Sequence, residues 1–121
     1  TKDRFCASAA CISLGMTRLV KKAQATECWG DKKPNILVIA PPPIGEGMFE
    51  SPVGVTMGRG CREKSLELAK YYKEQCDLCG VHFLDARDLG AEFNTVDYMH
   101  LTKKGHAQLA EKFAQIIPTL L

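Results

Sequence analysis

The sequence has no apolar run approaching the roughly 20 residues that a helix needs to cross a bilayer, no block of like charge, no internal repeat and no low-complexity tract. Aromatic residues make up only 7%, with a single tryptophan, and the formal net charge is +2. So little excess charge and so few stacking rings make a poor surface for nucleic acid. Neither a membrane nor a nucleic acid is therefore an expected partner. With 121 residues, the chain holds at most one small domain.

Cysteine, by contrast, is plentiful: Cys6, Cys11, Cys28, Cys61, Cys76 and Cys79. In a small loop-rich secreted chain six would read as three disulfides, but the patterns here are long and core-forming. Cys76 and Cys79 form a C-x-x-C pair, which can bind zinc or do redox work. No second pair completes a four-ligand site. Ser65, Leu68, Ala69, Tyr72, Cys76 and Cys79 share one helical face, so core packing is the expectation. The unpaired pattern leans towards a reducing, cytoplasmic compartment.

Ile12, Met16, Leu19, Val20 and Ala23 recur at helical spacing and predict an amphipathic helix over residues 9–26. Residues 35–40, Asn-Ile-Leu-Val-Ile-Ala, form a short continuous apolar run, which reads as a strand buried on both faces of a parallel sheet. Residues 41–60 carry four prolines and five glycines without periodicity, an irregular loop of functional length. A second helix is predicted over 62–79, stopped by Gly80, and a second strand over 81–86. After an irregular stretch, Thr102 is the expected N-cap of a last helix ending near residue 117. Its expected buried stripe is His106, Leu109, Ala110, Phe113 and Ile117. The order helix-strand-helix-strand-helix implies parallel strands joined by right-handed crossovers.

Chemistry in such sheets sits beyond the carboxyl ends of the strands. There lies Asp97-Tyr98-Met99-His100-Leu101-Thr102-Lys103-Lys104-Gly105-His106. An aspartate three residues before a histidine can hold one imidazole nitrogen and leave the other as a general base. On spacing alone, the pair also reads as a turn aspartate beside a surface histidine. His82, within a strand, and His106, on a helix, read as packed, hydrogen-bonded histidines. Asp85 ends its strand and is left without a role. Ser51, in Glu50-Ser51-Pro52, lacks the sharp strand-to-helix turn that a nucleophilic serine needs. Ser8, Ser13 and Ser65 belong to helices.

The block from Asp97 to His106 resembles the last motif of the SGNH (GDSL-type) hydrolases, D-x-x-H-(L/F)-(T/S)-x-x-G-H. Upstream, residues 34–43 resemble that family's fourth strand and following loop, residues 81–86 its fifth strand, and residues 5–20 the helix after its third block. The arylesterase-like branch is the part of the family that the chain resembles. The resemblance implies the C-terminal part of a three-layer α/β/α SGNH (flavodoxin-like) fold with a parallel sheet, spanning residues 1–121 as one part of a single domain. It implies carboxylic-ester hydrolysis or acyl transfer of the serine-esterase or lipase type, with Asp97 orienting and His100 as base then acid, and no cofactor or metal. Pro42, Pro43 and Ile44, just past the first strand, are the expected wall of a pocket for a small ester. The family's G-D-S nucleophile block, its oxyanion-hole glycine and its G-x-N-D asparagine have no match here.

The expected partner is therefore the N-terminal part of the same enzyme, pairing with the strand at 35–40; a homo-oligomer with a swapped copy is the other arrangement. The alternative function is a non-catalytic binding or scaffold domain derived from a hydrolase. If the first reading holds, the isolated polypeptide shows no burst with an activated aryl ester, since losing the nucleophile–base unit costs ~10⁶ in turnover. Stoichiometric acylation, above all on Ser51, would contradict it, and mass spectrometry after rapid mixing reads the difference.

Overall fold

A computed structural model describes residues 2–121. Helix α1 (Ala9–Gln24) begins where the Ser8 hydroxyl accepts the Cys11 N–H, satisfying one of the helix's free donors. Its buried face is Ala9, Ser13, Thr17 and Val20. The predicted face is thus displaced, and Leu19 is 69% exposed. The reason is close packing: small residues let α1 lie along α3 (Cys61–Cys79). Their polar atoms stay satisfied there. The Thr17 hydroxyl lies 3.0 Å from both Ser13 O and Gln75 Oε1, and Gln24 Nε2 donates to Cys79 O.

Helix α3 buries Cys61, Ser65, Leu68, Ala69 and Cys76. Burial pushes the Cys61 and Cys76 thiols up from their ordinary pKa, as expected of packed and unreactive cysteines. Among the described residues, no group of three His, Cys, Asp or Glu side chains could hold a metal ion. Gly80, at φ +66°, ends the helix in the left-handed conformation, and Val81 N–H donates back to Cys76 O.

Two short parallel strands follow from the crossover, β1 (Leu37–Ala40) and β2 (His82–Asp85), in the register Leu37 to His82 through Ala40 to Asp85. Helix α3 packs on one face of this sheet. Helix α4 (Lys103–Ile116) lies at the other face without covering it. Between them run an apolar groove lined by Leu37, Ile39, Ile117, Leu120 and Leu121 and, continuous with it through Ile39, a second lined by Leu109 and Phe113. Among the described residues β1 pairs with β2 alone, so its other edge carries no strand.

Three expectations change as a result. His106, Ala110 and Ile117 are exposed, because α4 faces an open groove. His82 is exposed as well, at the amino end of β2. The stretch 41–60 has its own structure: a 3₁₀ segment (Glu46–Glu50) and a helical turn, α2 (Gly54–Met57). These fold around a small core of Ile44, Met48, Met57 and Cys61. Ile44 is thus a core residue, and its N–H donates to Ser65 Oγ at 3.0 Å.

Substituting Ile44 by Ala should therefore cost stability, about 2–5 kcal/mol for a buried isoleucine. Denaturant unfolding checks this, and a change within about 0.5 kcal/mol, as at surface positions, would contradict it.

Candidate active site

The segment from Glu92 to Thr102 leaves β2 by a 3₁₀ turn (Ala86–Leu89) and returns at the start of α4. Its base is closed at Glu92. The Glu92 carbonyl accepts Thr102 N–H at 3.0 Å, and its carboxylate accepts from Thr102 Oγ1 at 2.7 Å and Lys104 Nζ at 2.9 Å. The Lys104 ammonium and then the Thr102 hydroxyl hold the Glu92 carboxyl below its ordinary pKa. Thr102 also caps α4 by accepting Gly105 N–H, as its position predicted. Gly105 has to be a glycine, because any side chain there would run into the Glu92 carbonyl. Phe93 and Leu101 form an antiparallel bridge one step further in.

Within this closed loop Asn94 takes the next turn. Its N–H donates to His100 O, and its Oδ1 accepts from Val96 and Asp97 N–H. Asp97 takes the last. Its Oδ1 accepts the N–H groups of Met99 and His100 at 2.9 and 3.0 Å, and its Oδ2 lies 2.7 Å from His100 Nδ1. The carboxylate is therefore fully engaged, with its side chain 16% exposed against 77% for His100. The backbone N–H groups of His100 and Met99, then the imidazole itself, hold the Asp97 carboxyl far below the usual carboxylate range.

An ionised carboxylate can only accept, so the shared proton belongs to His100 Nδ1. Nε2 then carries the lone pair, on a side chain left largely exposed, and is chemically able to accept a proton. Asp97 and His100, the predicted pair, are thus brought together beyond the carboxyl ends of β1 and β2. His100 borders the apolar groove of about 440 Å³ with Ile39, Pro41, Pro42, Phe93, Met99 and Phe113.

The other named residues divide. Pro42 lines this groove, Pro43 is half-buried beside it, and Ile44 turns into the core of residues 44–61. Each of the four serines has a local duty. Ser8 caps α1, Ser13 and Ser51 donate to Ala10 O and Met48 O, and Ser65 bridges Ile44 N–H and Arg62 O. Sequence reading missed Glu92, Asn94 and Tyr98. Asn94, three residues before Asp97, is a readable turn signal. Tyr98 is not: it sits at φ +55°, a left-handed conformation that costs a residue with a Cβ about 1–2 kcal/mol.

No model of a known protein family matches the chain, and no curated protein matches it. Solved structures do. The chain is similar to the native aryl esterase of M. smegmatis at 28% identity and a TM-score of 0.84, over 99% of this chain and 56% of that one. The inhibitor-bound form of the M. smegmatis aryl esterase matches at 27% identity and 0.85, over 100% and 56%. A carbohydrate acetylesterase from Sinorhizobium meliloti matches at 30% identity and 0.82, over 100% and 56%. The chain thus spans a little over half the length of these structures. It has the α/β fold of SGNH esterases, with a small parallel sheet and flanking helices.

The lowered pKa of Asp97 fixes a pH dependence. A depressed carboxyl stabilises the fold above its unfolded value, near pH 4, and that contribution is lost as pH falls from there towards the folded value. The turn at 97–100 should therefore hold from neutrality down to about pH 4 and loosen only below it. Amide exchange at Met99 and His100 checks this, and loosening between pH 7 and 5 would contradict it.

Proposed function

We propose that this chain is the acid–base part of a carboxylic-ester hydrolase of the SGNH serine type, with Asp97 as orienting carboxylate and His100 as general base and then acid. The observation that carries the reading is the 2.7 Å contact between Asp97 Oδ2 and His100 Nδ1, on a largely exposed histidine that borders an apolar groove. The likeness to aryl and carbohydrate acetylesterases supports it.

The chemistry follows from the tautomer. His100 Nε2 takes the proton of a serine hydroxyl as that oxygen bonds to the ester carbonyl carbon. The tetrahedral intermediate collapses with loss of the alkoxide, which takes the proton from Nε2. Water then repeats the sequence: Nε2 removes its proton, the acyl carbon passes to the water oxygen, and the serine oxygen leaves with the proton. Asp97 offsets the positive charge on the imidazolium at each stage. A small ester is the expected occupant of the apolar mouth of the groove, with Pro42 at its wall. No cofactor enters these steps.

The four serines of this chain are engaged elsewhere, so the nucleophile is assigned to another segment, the N-terminal part of the same enzyme. That segment also has a place to bind. The unpaired edge of β1 and the apolar groove under α4 are what an added parallel strand covers, and the matched structures are nearly twice as long as this chain. Backbone groups buried without partners cost about 1–3 kcal/mol each, which favours pairing over leaving this edge bare.

In the intact enzyme, acting on an aryl acetate, Asp97→Asn should lower kcat about 10⁴-fold by favouring the wrong tautomer. His100→Ala should lower it ~10⁶-fold. Steady-state kinetics with unchanged far-ultraviolet circular dichroism checks both. Wild-type turnover in either variant would overturn the role assigned to that residue, and absence of ester hydrolysis by the wild type would favour a non-catalytic binding domain.

A further inference from the structure

Tyr98 occupies the turn position where a side chain is least at ease. The turn nevertheless holds that conformation: with the backbone at residue 98 at φ +55°, Asp97 Oδ1 accepts the N–H groups of both Met99 and His100. Something outside the turn must hold it there. The Tyr98 carbonyl accepts Gly45 N–H at 2.9 Å. Its ring lies flat over Gly47, so that a Cβ at residue 47 would fall 2.5–2.7 Å from Cζ, Cε1 and Cε2 of the ring. A Cβ at Gly45 would fall 3.1 Å from Tyr98 Cβ. The two segments are keyed together at these three residues.

The seat is itself rigid. Met48 is fully buried against Ile44, Met57 and Cys61, Ile44 N–H is held by Ser65, and Glu46 pairs with Arg62 at 3.0 Å. Segment 44–50 is thus fastened to α3 through residues 44 and 46 and carries Tyr98 on residues 45 and 47.

We propose that Tyr98 is a positioning residue and Gly47 its seat: the ring, clamped on the 3₁₀ segment, holds residue 98 in the conformation that lets Asp97 grip His100. The proposal rests on the reading of Asp97 and His100 as the acid–base pair. Glycine at residue 98 would adopt the turn with less strain but would leave nothing on the seat. The ring therefore gives the turn one conformation where a glycine would give several. It also ties the loop beside the ester site to the base, so both keep a fixed relation.

A four-protein cycle tests this in the intact enzyme: wild type, Gly47→Ala, Tyr98→Gly and the double variant. The first readout, independent of turnover, is the His100 Nδ1–H proton resonance by NMR, which reports the bond to Asp97. Gly47→Ala is expected to broaden or shift it, and to lower kcat by about 10²-fold, as for a misplacement near 1 Å, with KM little changed. In the Tyr98→Gly background the same substitution is expected to change neither, because no ring remains to displace. An equal effect of Gly47→Ala in both backgrounds, or an unmoved resonance in Gly47→Ala, overturns the proposal.

Should Gly47→Ala fail to fold, Tyr98→Phe against Tyr98→Gly decides. The phenylalanine is expected to keep resonance and kcat and the glycine to lose both, and identical behaviour of the two overturns the proposal. If the resonance follows these expectations while no variant, wild type included, hydrolyses an ester, the clamp stands and the proposed reaction falls.

Discussion

The Asp97 carboxylate is the point on which the rest of the site depends. With two backbone N–H groups on one oxygen and the His100 imidazole on the other, it closes a turn and fixes a tautomer in the same act. Neither function is separable, because the amides that hold the carboxylate in place are also the largest cause of its lowered pKa. A carboxylate held ionised in this way can accept only, so the tautomer of the histidine is set by the turn itself. The protein invests much of its local structure in that one geometry. Glu92 closes the loop onto α4, Asn94 turns it inward, and Tyr98 accepts a strained backbone at its tip.

Much of this was legible in the residues, and the parts that were not share a cause. Apolar periodicity marked α3 and α4 to within a residue or two, and Thr102 announced its cap. The apolar run at 35–40 and its counterpart at 81–86 gave the parallel pair, each shorter in the structure than in the pattern. The Asp97–His100 pair was legible too, through the block that runs on to His106. Tertiary partners were not. Of the predicted face of α1 only Val20 is fully buried, beside Ala9, Ser13 and Thr17 and not the larger Ile12 and Leu19, because close approach to α3 rewards small residues whose hydroxyls find carbonyls. Ile44 reads as a wall residue by its place after a strand, yet its side chain completes the core of the 41–60 segment. The clamp of Tyr98 on Gly47 joins positions 51 residues apart, and no local pattern carries it.

The sheet explains why the site stands half open. Helix α3 covers one face, whereas α4 stands off the other and leaves an apolar groove that runs from Leu121 past Phe113 to His100. Left exposed, such a groove and strand edge are a liability. His100 lies on the border of the same groove. Under the proposed reading, the surface that an added strand would cover is also where a nucleophile would arrive, which would join the folding problem and the catalytic one at a single place.

The most direct measurement is the structure of the intact enzyme after reaction with an aryl phosphonate, which traps a nucleophilic serine as a stable adduct. The account predicts the adduct on a serine from outside residues 1–121, with His100 Nε2 about 2.6–3.2 Å from its oxygen. It also predicts that the segment carrying that serine is paired with the free edge of β1. An adduct on a serine of this chain, or a serine adduct far from His100 with the groove beneath α4 still open, would contradict it.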